Sequence, residues 1–176
     1  MKQFWICLFA TLALAGCDTS DPLGLYPEPA KEVVAPLELT GRVIDAADVL
    51  NQRQEQELAK RLESLEASTL AQFVVVTTPS LDGRSIEDYS LALGRGWGIG
   101  DADRDDGLLI VVAPNERQVR IEVGLGLENT VDDPFAKEVI DGMIPFLRNG
   151  RFHDAVTLGV DRLESRLRQP QLKEAA

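Results

Sequence analysis

The chain has 176 residues, 44% of them hydrophobic and 27% charged, with a formal net charge of −11. That composition belongs to a globular domain rather than a disordered chain. The negative balance repels nucleic acid and anionic headgroups, so no nucleic-acid partner is expected, and it leaves divalent cations and basic partners open.

The first residues read as a targeting segment. Lys2 gives a positive start, "FWICLFATLALA" from Phe4 to Ala15 is a short apolar run, and "LAGC" closes it at Cys17. The run is shorter than the roughly 20 residues a membrane-spanning helix needs, and the layout is that of a signal peptide over residues 1–16. Its ending, Leu14-Ala15-Gly16-Cys17, resembles the lipobox of bacterial lipoproteins. The resemblance implies cleavage before Cys17 and lipid on that cysteine, palmitate-type acylation included. It places the chain on the bacterial envelope, facing the periplasm. Asp18 resembles the signal that retains such proteins in the inner membrane. With Cys7 cut away and Cys17 acylated no thiol remains, which excludes disulfides, thiolate catalysis and cysteine-metal sites.

Residues 17–39 carry four prolines and no sustained periodicity, the pattern of an extended tether. The stretch 40–168 is long enough for one core and short for two, and a monomeric domain is expected. Asn51 with Gln54 forms a capping box ahead of a helix over 51–68 striped by Leu58, Leu62 and Leu65. "QFVVVTT", 72–78, predicts a buried strand. Ser85 with Asp88 starts a helix that runs to about Arg95. "LLIVVA", 108–113, predicts a second buried strand. "QVRIEV" alternates apolar and polar residues as an antiparallel strand near an edge does. Asp133 before Pro134 predicts an N-cap with proline at the first helical position. Ala136, Val139, Ile140, Met143 and Ile144 line that helix, which should kink or stop near Pro145. A last helix over 152–168 turns Val156, Gly159, Val160 and Leu163 inward, and 169–176 should fray. Strands alternating with helices, plus one hairpin, predict a three-layer α/β/α sandwich with a mixed β-sheet.

Five segments in order, "GRVIDAADVL", "WGIG", "DDGLLIVVAPNERQVRIEVGLGLE", "VDDPFAKEVI" and "IPFLRNGRF", resemble the TPM domain of thylakoid-lumen and photosystem-repair proteins and of bacterial envelopes. The resemblance covers about Thr40 to Leu163 and implies a sheet sandwiched by helices. Some members of the family bind calcium, one plant member is described as an acid phosphatase, and most have no assigned reaction. Asp105 and Asp106 match the family's acidic or amide pair ahead of the "GLL" strand start; Asp45 and Asp133 match further family aspartates.

"GDADRDDG" is the chemically suggestive loop. Asp101, Asp103 and Asp105 alternate as the first ligands of an EF-hand do. The comparison then fails: Asp106 stands where glycine is required, Val112 where glutamate is, and a strand follows. Clustered carboxylates repel, and a cation relieves that repulsion. Among the expected metal ligands the family resemblance puts Asp106 and Asp105 first, with Asp101 and Asp103 after them, joined by Asp45 if it reaches the same sheet edge. The cation would be calcium or another divalent ion; the alternative is a solvated loop partly neutralised by Arg104. Arg120 is a candidate contact for an anion or substrate, or else one half of an ion pair with Glu122. The glycines of "GLGLE" are expected to let the chain turn, since the phosphate-loop pattern is absent.

The catalytic inventory is thin: His153 reads as a surface or capping residue, and no serine sits in a nucleophile elbow. Two functions remain. One is a cation-binding accessory module that meets a membrane-protein partner during assembly or quality control. The other is a metal-dependent phosphomonoester hydrolase using activated water.

Overall fold

The computed structural model describes residues 34–174, with side-chain environments over 34–169. The signal segment, Cys17 and most of the expected tether lie outside the described residues. In chain order the elements are β1 (Val43–Asp45), α1 (Gln52–Thr69), β2 (Gln72–Thr77), α2 (Ile86–Trp97), β3 (Gly107–Ala113), β4 (Gln118–Val123), a 3₁₀ turn (Leu125–Leu127), α3 (Asp133–Arg148) and α4 (Phe152–Glu174).

The sheet order is β1-β2-β3-β4, with the first three strands parallel and β4 antiparallel to β3. All seven residues of β3 are buried, as a central strand covered on both faces requires. Side chains of β2 alternate between the faces: Phe73 and Val75 join Leu62, Met143 and Leu163, whereas Val74 and Val76 join Tyr89 and Leu93. So α1, α3 and α4 cover one face and α2 the other. This is the three-layer sandwich with a mixed sheet that the alternation of elements predicts.

Local signals operate as their chemistry dictates. Asn51 accepts from the N–H groups of Arg53 and Gln54, while the Gln54 side chain accepts from Asn51 N–H, closing the box reciprocally. The Ser85 hydroxyl accepts from Asp88 N–H at 3.0 Å. Differences arise where helices begin and end. Asp132, not Asp133, is the N-cap of α3, its carboxylate accepting from Phe135 N–H at 3.0 Å, so Pro134 falls one position further inside. Its helix also runs through Pro145 to Arg148 instead of stopping there. The fourth helix continues past Arg168 to Glu174, where fraying is expected. Packing begins before residue 40: Ala35, Leu37 and Leu39 lie on the α2 face, and Trp97 Nε1 donates to the Leu37 carbonyl at 2.8 Å.

The α1–α4 seam holds an ionic bridge. Glu164 accepts from Arg61 at 2.6 Å and from Arg168 at 2.9 Å, and Asp161 takes the other arm of Arg61. Burial alone would raise the Glu164 carboxyl; hydrogen bonds from Arg61 and Arg168 outweigh it and hold it below its ordinary 4.5. A carboxyl depressed in the folded state adds stability above its unfolded value and loses it as pH falls through the folded one. Glu164→Gln is thus expected to cost about 1 kcal/mol at neutral pH. The gap from wild type should close as pH drops below about 4.5, measured by urea unfolding across the acid range. A gap independent of pH would contradict the bridge.

Candidate functional site

The acidic loop lies between α2 and β3, at the rim where the parallel strands begin. It is a locked structure. Asp106, only 7% exposed, accepts Asp101 N–H on Oδ1 at 2.9 Å and Arg104 Nε on Oδ2 at 2.6 Å. The Asp106 carbonyl accepts from Gln72 N–H, and the Gln72 side chain accepts from Gly100 N–H, so the start of β2 clamps both ends of the loop. Asp101 Oδ1 accepts from the N–H groups of Asp103 and Arg104, and its other oxygen lies 3.3 Å from Arg104. The hydrogen bond to Asp106 pushes the Arg104 guanidinium above its ordinary value.

Glycines make the lock possible by closeness more than by flexibility. Gly124 has an ordinary extended backbone, yet a Cβ there would lie 2.1 Å from the Asp105 carbonyl oxygen. At Gly126 the added atom would meet the Arg104 carbonyl oxygen at 1.7 Å. Gly126 N–H donates to the Asp105 carbonyl at 3.1 Å, so the segment after β4 is pressed on the loop backbone. The "GLGLE" glycines therefore serve contact, where the sequence predicts turning. Asp105 itself takes a left-handed backbone, φ 48°.

Four of the expected ligands, Asp101, Asp103, Asp105 and Asp106, share this loop, and Asp45 does not reach it. Asp45 ends β1, in register with Thr77 of β2, which pairs with Val112 of β3. Asp106 immediately precedes the other end of β3, so the two acids are about 20 Å apart at 3.3 Å per residue. Asp45 has its own work: its oxygens accept from Val49 N–H at 3.2 Å, Leu50 N–H at 2.7 Å and the Thr77 hydroxyl. Asp106 and Asp45 are consumed by the fold, and Asp101 is largely so. Asp103 and Asp105 are exposed, and neither side chain has a hydrogen-bond partner among the described residues. No group of three histidine, cysteine, aspartate or glutamate side chains stands in a metal-holding arrangement among the described residues. The donor set does not fit a closed structural site. It fits a largely hydrated hard cation touched by one or two carboxylates.

Asp101 and Asp105 border an open groove of about 560 Å³, with Glu122 and Glu128 on its far wall and Leu91, Ile99 and Leu125 among its apolar lining. Periodicity did not single out Glu128. Arg120 has its Nε 2.9 Å from Glu122 and its NH1 3.9 Å from Glu87, the arrangement of the ion-pair alternative. Ser90 donates to Glu122 at 2.9 Å, but it is wholly buried and out of reach as a nucleophile. His153 is half-buried on α4, 3.9 Å from Asp154. Asp133 is exposed at the start of α3.

A mixed sheet between helices, with an acidic loop locked against its central strand, defines the class. The TPM domain profile matches residues 43–166, and the chain belongs to that family. The solution structure of the N-terminal domain of a Porphyromonas gingivalis protein is 33% identical, with a TM-score of 0.69 over 74% of this chain and 84% of that one. The N-terminal domain of a Corynebacterium glutamicum protein, 18% identical, superposes with a TM-score of 0.59 over 74% and 82% of the two chains. The BA42 protein of Bizionia argentinensis, 17% identical, gives 0.61 over 68% and 82%. These two lower identities speak for the fold alone. No curated protein matches the chain. No helix among the described residues is long and apolar enough to cross a membrane.

Proposed function

We propose that this TPM-domain chain is a non-catalytic docking module, held on the bacterial envelope by lipid on Cys17 and meeting a membrane-protein partner. A divalent cation loosely held at the acidic rim would modulate it. The observation that carries the reading is the contrast within one loop. Backbone and buried side chains fix it rigidly, while the Asp103 and Asp105 carboxylates are left unbonded at its tip. A fold that spends Asp106, Gly124 and Gly126 on holding two like charges in place keeps them for something outside itself. Open, water-facing ligands bind calcium in the micromolar to millimolar range, which suits a response to ambient cation rather than a permanent cofactor.

A phosphatase reading is favoured by the word phosphatase in the name of the matching family profile. The geometry offers it little. The serine beside the groove is buried, and the most buried acid of the loop is tied to protein donors. The experiment is turnover of p-nitrophenyl phosphate by the purified Cys17→Ser chain with magnesium, manganese or calcium. Rates at the buffer level are expected. Turnover that vanishes in Asp105→Ala would transfer the chain to the hydrolases. Labelled palmitate should enter the wild-type chain in cells and not Cys17→Ser; equal labelling would remove the anchor from the proposal.

A further inference from the structure

A second groove lies at the opposite end of the sheet from the acidic loop. It has a volume of about 600 Å³, within the range of ligand-binding clefts. Val119, Ile144, Leu147 and Phe152 give it an apolar lining, and Arg117 and Arg148 stand at its mouth. Most other arginines of the described residues end on an acid: Arg42 on Glu66, Arg61 on Glu164, Arg104 on Asp106, Arg120 on Glu122, Arg151 on Asp154. Arg117 and Arg148 are exposed and end on none among the described residues. Arg84 and Arg95 also end on no acid among the described residues, but Arg117 and Arg148 are the two that line one groove together.

Arg117 is exceptional in its backbone too. It closes the β3–β4 turn, donating its N–H to the Pro114 carbonyl, with φ 58°, a left-handed position that glycine fills without strain. The fold gains nothing there from an arginine side chain that touches no partner.

The groove also adjoins an unpaired strand edge. β4 is the last strand of the sheet, and Gly124 N–H donates to the Gly107 carbonyl. That bond fixes the alternation of the ladder: the N–H and C=O groups of Val119, Ile121 and Val123 point away from β3. Val119 is therefore both edge and lining.

We infer that this cleft receives the free C-terminus of an apolar polypeptide. The peptide main chain extends along the β4 edge, its last side chain enters between Val119 and the α3 residues, and its terminal carboxylate meets Arg117 and Arg148. Strand addition supplies the hydrogen bonds, and the guanidiniums supply a charge-matched end stop. The inference deepens the docking-module reading and is independent of the acidic rim: it stands if no cation binds, and it can fail while a membrane partner is still found by crosslinking.

The test uses the full chain carrying Cys17→Ser. The probe is a set of fluorescein-labelled octapeptides with randomised apolar last residues, made once with a free carboxylate and once as the amide, read by fluorescence polarisation. The acids should bind saturably and at least tenfold tighter than the amides. That preference should disappear in Arg117→Gln/Arg148→Gln, whose side chains are exposed and unbonded, so folding is not at stake. Arg117→Gly should raise the melting temperature while weakening acid binding, which separates a ligand role from a structural one. No saturation at millimolar peptide, equal binding of acid and amide, or a preference that survives the double substitution overturns the inference. Laurate binding with no peptide binding overturns it as well, giving the cleft to a fatty acid.

Discussion

Gly126→Ala is expected to destabilise the domain by about 3 kcal/mol or more, the upper range for overpacking a site that cannot yield. The added methyl would sit 1.7 Å from the Arg104 carbonyl oxygen, a backbone atom whose own segment is fixed on both sides. The 3₁₀ turn would have to swing off the loop, and the Gly126 N–H bond to the Asp105 carbonyl would go with it. Gly124→Ala should behave alike, its methyl meeting the Asp105 carbonyl oxygen at 2.1 Å. Its backbone angles suit any residue, so a large loss there isolates the steric cause from a conformational one. Gly83→Ala is the control: φ is 75°, but nothing lies within 4 Å, so only the local backbone cost of roughly 1 kcal/mol applies. Urea unfolding of the three variants checks the ranking. Equal losses would mean that the loop and the segment after β4 are not in register contact.

Asp106→Ala is expected to cost about 2 kcal/mol, because it strips a buried charged acceptor from the Asp101 N–H and the Arg104 guanidinium. The loss should be the same with and without calcium, since both carboxylate oxygens already have protein donors. Asp105→Asn should do the reverse, leaving stability in metal-free buffer within about 0.5 kcal/mol of wild type, as exposed and unbonded side chains do, and removing whatever protection calcium confers. Melting curves of both variants in chelator and in calcium make the comparison. A calcium-dependent loss in Asp106→Ala would return that residue to the ligand set.

These two aspartates show how far the sequence speaks. The apolar runs at 72–78 and 108–113, the box at Asn51 and the period-two pattern of β4 are local signals, and both buried strands form within a residue of those bounds. β1 is only three residues long and offers no run to read, so it enters the sheet unannounced. The Asp106 partners are three-dimensional: a carboxylate looks the same in sequence whether water, a cation or a backbone N–H faces it. Asp45 was misplaced for a topological reason. It ends a strand while the acidic loop precedes one, and in parallel strands those are opposite rims. The connections from β1 through α1 to β2, and from β2 through α2 to β3, join parallel strands, and they carry that information once β1 is recognised as a strand. The Asp132/Asp133 shift is smaller in kind, two adjacent acids competing for one cap.

The central claim is that the locked loop presents Asp103 and Asp105 to a cation from outside. Calorimetric titration of the Cys17→Ser chain with calcium, magnesium and manganese, against the same chain carrying Asp103→Asn/Asp105→Asn, measures it directly. The account predicts saturable heat for at least one ion between micromolar and millimolar, absent from the double variant, while the variant's metal-free melting temperature stays that of the parent. Flat titrations for all three ions at millimolar concentration, or heat that persists after both substitutions, would contradict it.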